Sequence, residues 1–373
     1  MFGRVKKKYV ILFAVVAFYL IGDQSGLFLM LRARDFYTEF FYPIEGNVPE
    51  LAADLKAGHV PKIKPINKHD YTMVKKAKGK CLEEDGVHYH SLRLVYLVKS
   101  AINHFDRRAV IRKTWGFERR FSDVGIRTVF LLASRGQDAE LQLAVENEAR
   151  EHGDIVQGDF EDTYFNNTLK AMMGLRWAVE QCPTSRFYMF VDDDYYVSTR
   201  NVLRFLRNPV NYPRYLTDPV VSFDDEDGVG HQSRQLKQMV DFDLPDDVKL
   251  YAGYTIQSRP LRQPLSRWFV DLDEYPFHLW PRYVTAGAYI LSRDALQDLY
   301  YGSYFVKRFR FDDIFLALVA MKMELERFHS DEFHFDRKTY SVLGYRYVVA
   351  SHGFSNPAEL ERTWNQQKQA GNA

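Results

Sequence analysis

The sequence predicts an α/β fold, a mixed and mainly parallel sheet flanked by helices, and three observations carry that expectation. From Leu92 onward, short apolar runs rich in β-branched and aromatic residues alternate with longer stretches of helical periodicity. Capping residues stand at the junctions, as at Ser198 and Gly153. Three consecutive carboxylates, Asp192–Asp194, close one of the apolar runs. Open α/β sheets place their ligands there, outside the carboxyl ends of the strands.

Each element has its own signal. Leu92–Val98 reads as a buried strand, and Asp106–Gly116 as a helix through Val110, Ile111 and Trp115. Arg127–Ala133 is a second strand, Asp138–Gly153 an amphipathic helix ending at glycine, and Asp154–Gly158 a short strand. Asn166–Cys182 is helical, Phe187–Val191 a strand, and a helix starts at the capping Ser198. Pro209–Lys249, with its DDEDG and DFDLPDD stretches, reads as an acidic insertion (residues 210–249). It lacks the central glycine and terminal glutamate spacing of a calcium loop. Strands follow at Leu250–Ile256 and at YVTAGAYILS (Tyr283–Ser292), then helices from Arg293 and over Phe311–Met323. A late strand is expected over Tyr345–Phe354, ending near His352, before a polar helical tail.

Ahead of this body, the basic cluster Arg4–Lys8 precedes an apolar run that reaches Leu31 with Asp23 and Gln24 toward its far end. That arrangement predicts a cytosolic tail (residues 1–8) and a signal-anchor (9–31), with the rest on the far side of the membrane. Residues 32–90, punctuated by Pro43, Pro49, Pro61 and Pro65, read as a stem, leaving 91–373 as the catalytic body. A net charge of +1 gives no support to bulk nucleic-acid binding. Two cysteines allow one internal disulfide at most, and Cys182 reads as a small buried residue near a helix end.

Adjacent carboxylates beside Phe190 and Val191 need compensation, because burying them unpaired costs several kcal/mol, and a divalent cation supplies it simply. Lys99 and Ser100, at the end of the first strand, are placed to meet a nucleotide. Arg108 and Arg112 lie four apart on one helix face, suited to a diphosphate or to a solvated basic face. Trp268 and Trp280 suit stacking on acceptor sugars or packing, and Trp115 suits the core. Asn166-Asn167-Thr168 is the one N-x-S/T sequon.

Four motifs stand in order: RRAVIRKTWG (Arg107–Gly116), VDDDYYVS (Val191–Ser198), PRYVTAGAYILS (Pro281–Ser292) and FDDIFLAL (Phe311–Leu318). Together they resemble the β1,3-glycosyltransferases of family 31, type II Golgi enzymes with a GT-A fold, and most closely the Brainiac-like subfamily. The resemblance runs from Ser91 to the C-terminus. It implies inverting transfer of N-acetylglucosamine from UDP-GlcNAc to the 3-hydroxyl of a β-linked mannose on a glycolipid, with Mn²⁺ or Mg²⁺ at the diphosphate. The residues it implies are Asp194 and His352 on the metal, Asp192 on the metal or toward the nucleoside, and Asp193 between these roles. Asp313 is then the base and Asp312 its neighbour, an acceptor contact or a helix cap. Lys170 pairs with phosphate or with the aspartates, while Tyr283, Gly287 and Ala288 line the sugar pocket; His334 is a weaker metal candidate. The implied partners are the UDP-sugar, the glycolipid, the Golgi membrane, and further copies or other Golgi transferases. Two departures stand out: the length of Pro209–Lys249, and Phe315 and Ala317 where the family shows Tyr and Gly. UDP-galactose is the alternative donor. A two-metal phosphoesterase offers no role for Asp313, and a non-enzymatic escort protein would not need these carboxylates.

Overall fold

The computed structural model describes residues 2–41, 46–83, 85–136, 138–217 and 243–373, in two compact units. Most of the acidic insertion, including DDEDG, therefore lies outside the described residues. The smaller unit combines the chain up to Gly46 with Ile256–Tyr283. It holds α1 (Phe2–Gln24), α2 (Leu27–Arg32) and α3 (Phe36–Glu39). The apolar run expected to span a membrane is divided between α1 and α2 at Gly26, whose φ is 73°. A Cβ there would stand 2.1 Å from the Arg262 carbonyl oxygen, so only glycine allows the approach. Among the described residues no helix is long and apolar enough to cross a membrane. Arg262 is buried, and its guanidinium donates to the carbonyls of Val270, Tyr275 and Phe277 at 2.6–3.0 Å.

The larger unit spans Asn47–Thr255 and Val284–Ala373. Its strands are β1 (Met73–Lys76), β2 (Leu94–Lys99), β3 (Ile126–Ser134), β4 (Ile155–Glu161), β5 (Phe187–Asp192), β6 (Tyr195–Val197), β7 (Tyr251–Ile256), β8 (Tyr283–Ser292), β9 (Phe328–His329), β10 (Phe333–His334) and β11 (Ala350–His352), β7 and β8 each lending one end residue to the smaller unit. Its helices are α4 (Val48–Lys56), α5 (Phe105–Lys113), α6 (Ala139–His152), α7 (Asn167–Gln181), α8 (Thr199–Arg207), α9 (Arg293–Gly302), α10 (Asp312–Lys322) and α11 (Pro357–Gln369). Eight strands form one sheet in the order β1-β4-β3-β2-β5-β8-β7-β9. β4, β3, β2 and β5 run parallel, while β1 and β8 pair antiparallel with β4 and β5. A second, small sheet orders β10-β11-β6.

Local chemistry explains these elements. All six residues of β2 are buried, as expected of a central strand covered on both faces. Asp138 caps α6 by accepting from the Leu141 amide, and Gly153 ends it at φ 63°. Ser198 caps α8 through the Asn201 amide. α7 lies close on the sheet because Gly174 has no side chain: a Cβ there would stand 2.7 Å from both Leu131 and Phe190.

Three expectations change. Part of the stretch that reads as a stem is packed: Val48, Leu51 and Ala52 of α4 are buried, and β1 extends the sheet along β4. Pro49 opens α4 rather than punctuating a spacer, since the first helical turn needs no N–H there. Cys182 is half of a bridge, paired with Cys81 across 101 residues. The late strand is only Ala350–His352, because Tyr345 turns inward and its hydroxyl bonds the Lys338 carbonyl and Ser351.

The disulfide ties the segment carrying β1 to the end of α7. Closing a loop of that length stabilises by about 4 kcal/mol. The Cys81→Ala/Cys182→Ala protein is expected to unfold at clearly lower urea than the oxidised protein, by circular dichroism. Equal midpoints would mean the bridge contributes nothing.

Candidate active site

The chain leaves β2 for β3 on one side and returns as β5 on the other, so the carboxyl ends of β2 and β5 form a topological switch point. Their parallel register sets Lys99 opposite Asp192. The Lys99 ammonium, 5% exposed, donates to Asp192 at 3.0 Å, to Asp312 at 2.9 Å and to the Ala286 carbonyl at 2.9 Å. One buried cation therefore joins the aspartate run to the start of α10. Burial alone would lower its pKa, but Asp192 and Asp312 outweigh burial and hold it above the usual lysine value.

Asp312 and Asp313 occupy the first turn of α10, whose cap, Phe311, offers no side-chain bond. Asp312 is spent on Lys99, so its role as a helix cap is not what the structure shows. Asp313 is pushed up to about 7, first by burial and then by its neighbour Asp312. Asp192 also reaches about 7, through burial with Asp194 and Asp312 adding and Lys99 opposing.

The three aspartates part company. Asp193 turns inward, accepting from Ser100 Oγ at 2.7 Å, His104 Nδ1 at 2.8 Å and Arg107 Nη1 at 2.8 Å. Asp194 faces His352, with Nε2 and Oδ2 3.2 Å apart. That pairing follows from the small sheet, where β11 runs antiparallel to β6 with His352 opposite Tyr195. The Asp194 hydrogen bond raises the His352 pKa. Among the described residues no group of three or more carboxylate, histidine or cysteine side chains is gathered to hold an ion alone. A carboxylate beside an imidazole, with Asp192 nearby, offers an oxygen and nitrogen edge of a kind that fits Mn²⁺ or Mg²⁺.

Gly287 serves a neighbour in the chain: a Cβ there would stand 2.0 Å from the Tyr195 hydroxyl. Ala288 is buried and pairs with Val191 across β8 and β5. Three sequence-based assignments move away from the crevice. Arg108 is fully buried and grips Glu148 of α6 through two nitrogens at 2.7–2.9 Å. Arg112 pairs with Asp154 and Glu148, each at 2.8 Å. Both arginines fasten α5 to its neighbours rather than facing a diphosphate. Lys170 pairs with Asp162 at 2.7 Å and the Ser100 carbonyl at 2.9 Å, not with the aspartate run. Trp115 is core, its indole N–H on the Tyr195 carbonyl. His334 is pushed down to about 4 by burial and by Lys338.

Trp268, Trp280 and Tyr283 belong to the smaller unit. Trp268 is partly exposed, Trp280 packs on Tyr275 at 4.2 Å, and the Tyr283 hydroxyl meets Ser258 at 3.0 Å. Asn166 donates its amide to the Glu161 carbonyl at 2.8 Å, while Thr168 of the sequon is buried on the Phe309 carbonyl. His104, Arg107, Glu148 and Asp162 went unnoticed in the sequence. Arg107 lies inside RRAVIRKTWG, but nothing in its spacing tells the inward arginine from the outward one.

The family description for galactosyltransferases matches residues 106–220 and 220–331. The β1,3-galactosyltransferase brn of Drosophila melanogaster is 40% identical over 360 residues, covering 96% of each chain. The human β1,3-galactosyltransferase 1 is 29% identical over 302 residues, covering 81% of this chain and 80% of its own.

The raised pKa of Asp313 is a stability statement. Its folded value near 7 exceeds the usual 3.8, so the folded state holds the extra proton between those values and stability falls as pH rises through that window. Asp313→Asn is expected to flatten that fall, gaining on the order of 2 kcal/mol over wild type at pH 8 relative to pH 4, in urea unfolding with chelator. Parallel pH curves for the two proteins would remove the burial argument.

Proposed function

The chain belongs to the family-31 β1,3-glycosyltransferases, and from that premise we propose that it is an inverting, metal-dependent N-acetylglucosaminyltransferase of GT-A type. Its donor in this reading is UDP-GlcNAc and its acceptor the 3-hydroxyl of a β-mannosyl glycolipid. The observation that carries the reading is Lys99, which brings the aspartate run and the Asp312–Asp313 pair into one crevice at the switch point.

In this mechanism Asp194 and His352 would hold Mn²⁺ or Mg²⁺. The ion, when bound, neutralises the charge that develops on the leaving UDP. Lys99 and Ser100 form the floor at the end of β2, where Lys99 keeps Asp192 and Asp312 paired while the donor enters. Asp313 takes the proton from the attacking hydroxyl, and its value near 7 suits a base working near neutrality. The oxygen so freed attacks the anomeric carbon from the face opposite the leaving UDP, forming the new C–O bond as the bond to the diphosphate oxygen breaks, which gives inversion.

The Cys81–Cys182 bridge supports a luminal body, since disulfides persist in oxidising compartments. With the basic cluster at Arg4–Lys8, it supports a single-pass type II protein of the Golgi membrane with its N-terminus cytosolic. Asn166 is then a candidate glycan acceptor, and Trp268, Trp280 and Tyr283 are candidate acceptor contacts. A second reading, galactose transfer from UDP-galactose, is favoured by the relatives, both of which are β1,3-galactosyltransferases by name.

The test is transfer by the full-length chain in detergent to a β-mannoside, with UDP-GlcNAc or UDP-galactose, and with Mn²⁺ or chelator. Addition of N-acetylhexosamine is expected by mass, dependent on metal and reduced at least about a hundredfold in Asp194→Asn and in Asp313→Asn. Hexose addition would move the donor to galactose. Undiminished transfer by either variant would overturn the site assignment.

A further inference from the structure

The three consecutive aspartates do not form one ligand set. We infer that Asp193 is a positioning residue, which shapes the wall that receives the nucleoside diphosphate by anchoring the loop between β2 and α5. The inference deepens the transferase reading above and rests on it for the identity of the ligand.

The carboxylate of Asp193 is 5% exposed, and each oxygen has a protein partner. Oδ1 accepts from Arg107 Nη1 at 2.8 Å, and Oδ2 accepts from Ser100 Oγ at 2.7 Å and from His104 Nδ1 at 2.8 Å. Its backbone amide donates to the Lys99 carbonyl at 3.1 Å, continuing the pairing of β5 with β2 by one more residue. Those donors come from the start, the end and just beyond the end of the loop 100–104. Three donors occupy most of the acceptor sites of this nearly buried carboxylate, which leaves a metal ion little access to it. The Asp194 carboxylate, by contrast, meets only the half-open imidazole of His352 among the described residues.

The rest of the loop is held from two other directions. Arg108, itself fixed by Glu148, donates to the carbonyls of Ala101 and Ile102 at 2.8 and 3.2 Å. Lys170 donates to the Ser100 carbonyl at 2.9 Å, and its partner Asp162 accepts from the Ile102 amide at 2.8 Å. Neither of those two anchors touches the aspartate run directly, although Arg108 Nη1 also donates at 3.2 Å to Ser100 Oγ, the hydroxyl that donates to Asp193. Asp193 belongs to that run and lies between Asp192 and Asp194, so it fixes the loop relative to the groups that face the diphosphate. A wall ordered before the ligand arrives spares the ordering entropy at binding. Loosening it therefore weakens nucleotide binding more than it disturbs the ion.

The test uses the full-length chain in detergent, with UDP as the calorimetric probe at saturating Mn²⁺, and with Mn²⁺ half-activation and KM for the donor measured alongside. Asp193→Asn is expected to raise the Kd for UDP and the donor KM about tenfold, with kcat falling by less and Mn²⁺ half-activation unmoved. Arg107→Ala and His104→Ala, which cut single anchors at partly exposed side chains, are expected to raise the UDP Kd by smaller factors. Arg107→Ala on top of Asp193→Asn is expected to add less than it does alone, since the Asn amide oxygen accepts from Arg107 without the carboxylate's charge. A raised Mn²⁺ half-activation in Asp193→Asn, as for a lost ligand, would overturn the inference. Unchanged UDP binding in Arg107→Ala and His104→Ala would overturn it too, even where Asp193→Asn does not fold. If the wild-type chain bound UDP with Mn²⁺ but transferred neither sugar, the transferase reading would fail while the UDP measurements still judged Asp193.

Discussion

A buried ammonium between two carboxylates is the constraint on which the rest of this site depends. Lys99 is fixed by its position at the end of β2, where the parallel register puts Asp192 directly beside it. The second carboxylate, Asp312, comes from the start of α10, far along the chain. Lys99 and Asp312 are buried while the Asp192 side chain is 38% exposed, and breaking a buried pair is more costly than never having built it. Beyond this cluster, Asp194 meets His352, and Asp313 adjoins Asp312 in the first turn of α10.

Around this cluster the fold separates structural from reactive charge. Arg108, Arg112, Glu148 and Asp154 form a closed network that fastens α5 and α6 beside the sheet. Lys170 and Asp162 form another, and Asp193 with Arg107 and His104 a third. Asp194, His352 and Asp313 stand apart from these networks. The same residue types, within a few positions of one another, thus do opposite work according to whether their partners are protein groups.

Much of the architecture was legible in the sequence. The strand and helix alternation from β2 to β5 needs only local periodicity, and Gly153 and Ser198 mark their helix ends as their chemistry requires. Asp192–Asp194 and the Asp312–Asp313 pair were visible as clusters because burying like charges is hard to excuse otherwise. What could not be read is who pairs with whom over distance. Arg108 and Arg112 share a helix face that would serve a diphosphate equally well; only the presence of Glu148 and Asp154, some forty residues away, decides the matter. The Cys81–Cys182 bridge and the docking of β1 on β4 are also long-range facts, with no local signature. Gly287 was legible as a close approach, but the group approaching it is Tyr195 of the same chain.

The central claim is that Lys99 holds the two acidic motifs together, and a double-mutant cycle tests it most directly. Urea unfolding of wild type, Lys99→Met, Asp312→Asn and the double variant gives the coupling free energy between the two side chains. Lys99→Met alone is expected to cost about 3 kcal/mol because it strands the buried Asp312, with the partly exposed Asp192 adding less. The double variant is expected to be more stable than Lys99→Met, with a coupling of at least about 1 kcal/mol. Simple additivity of the two single changes would contradict the account.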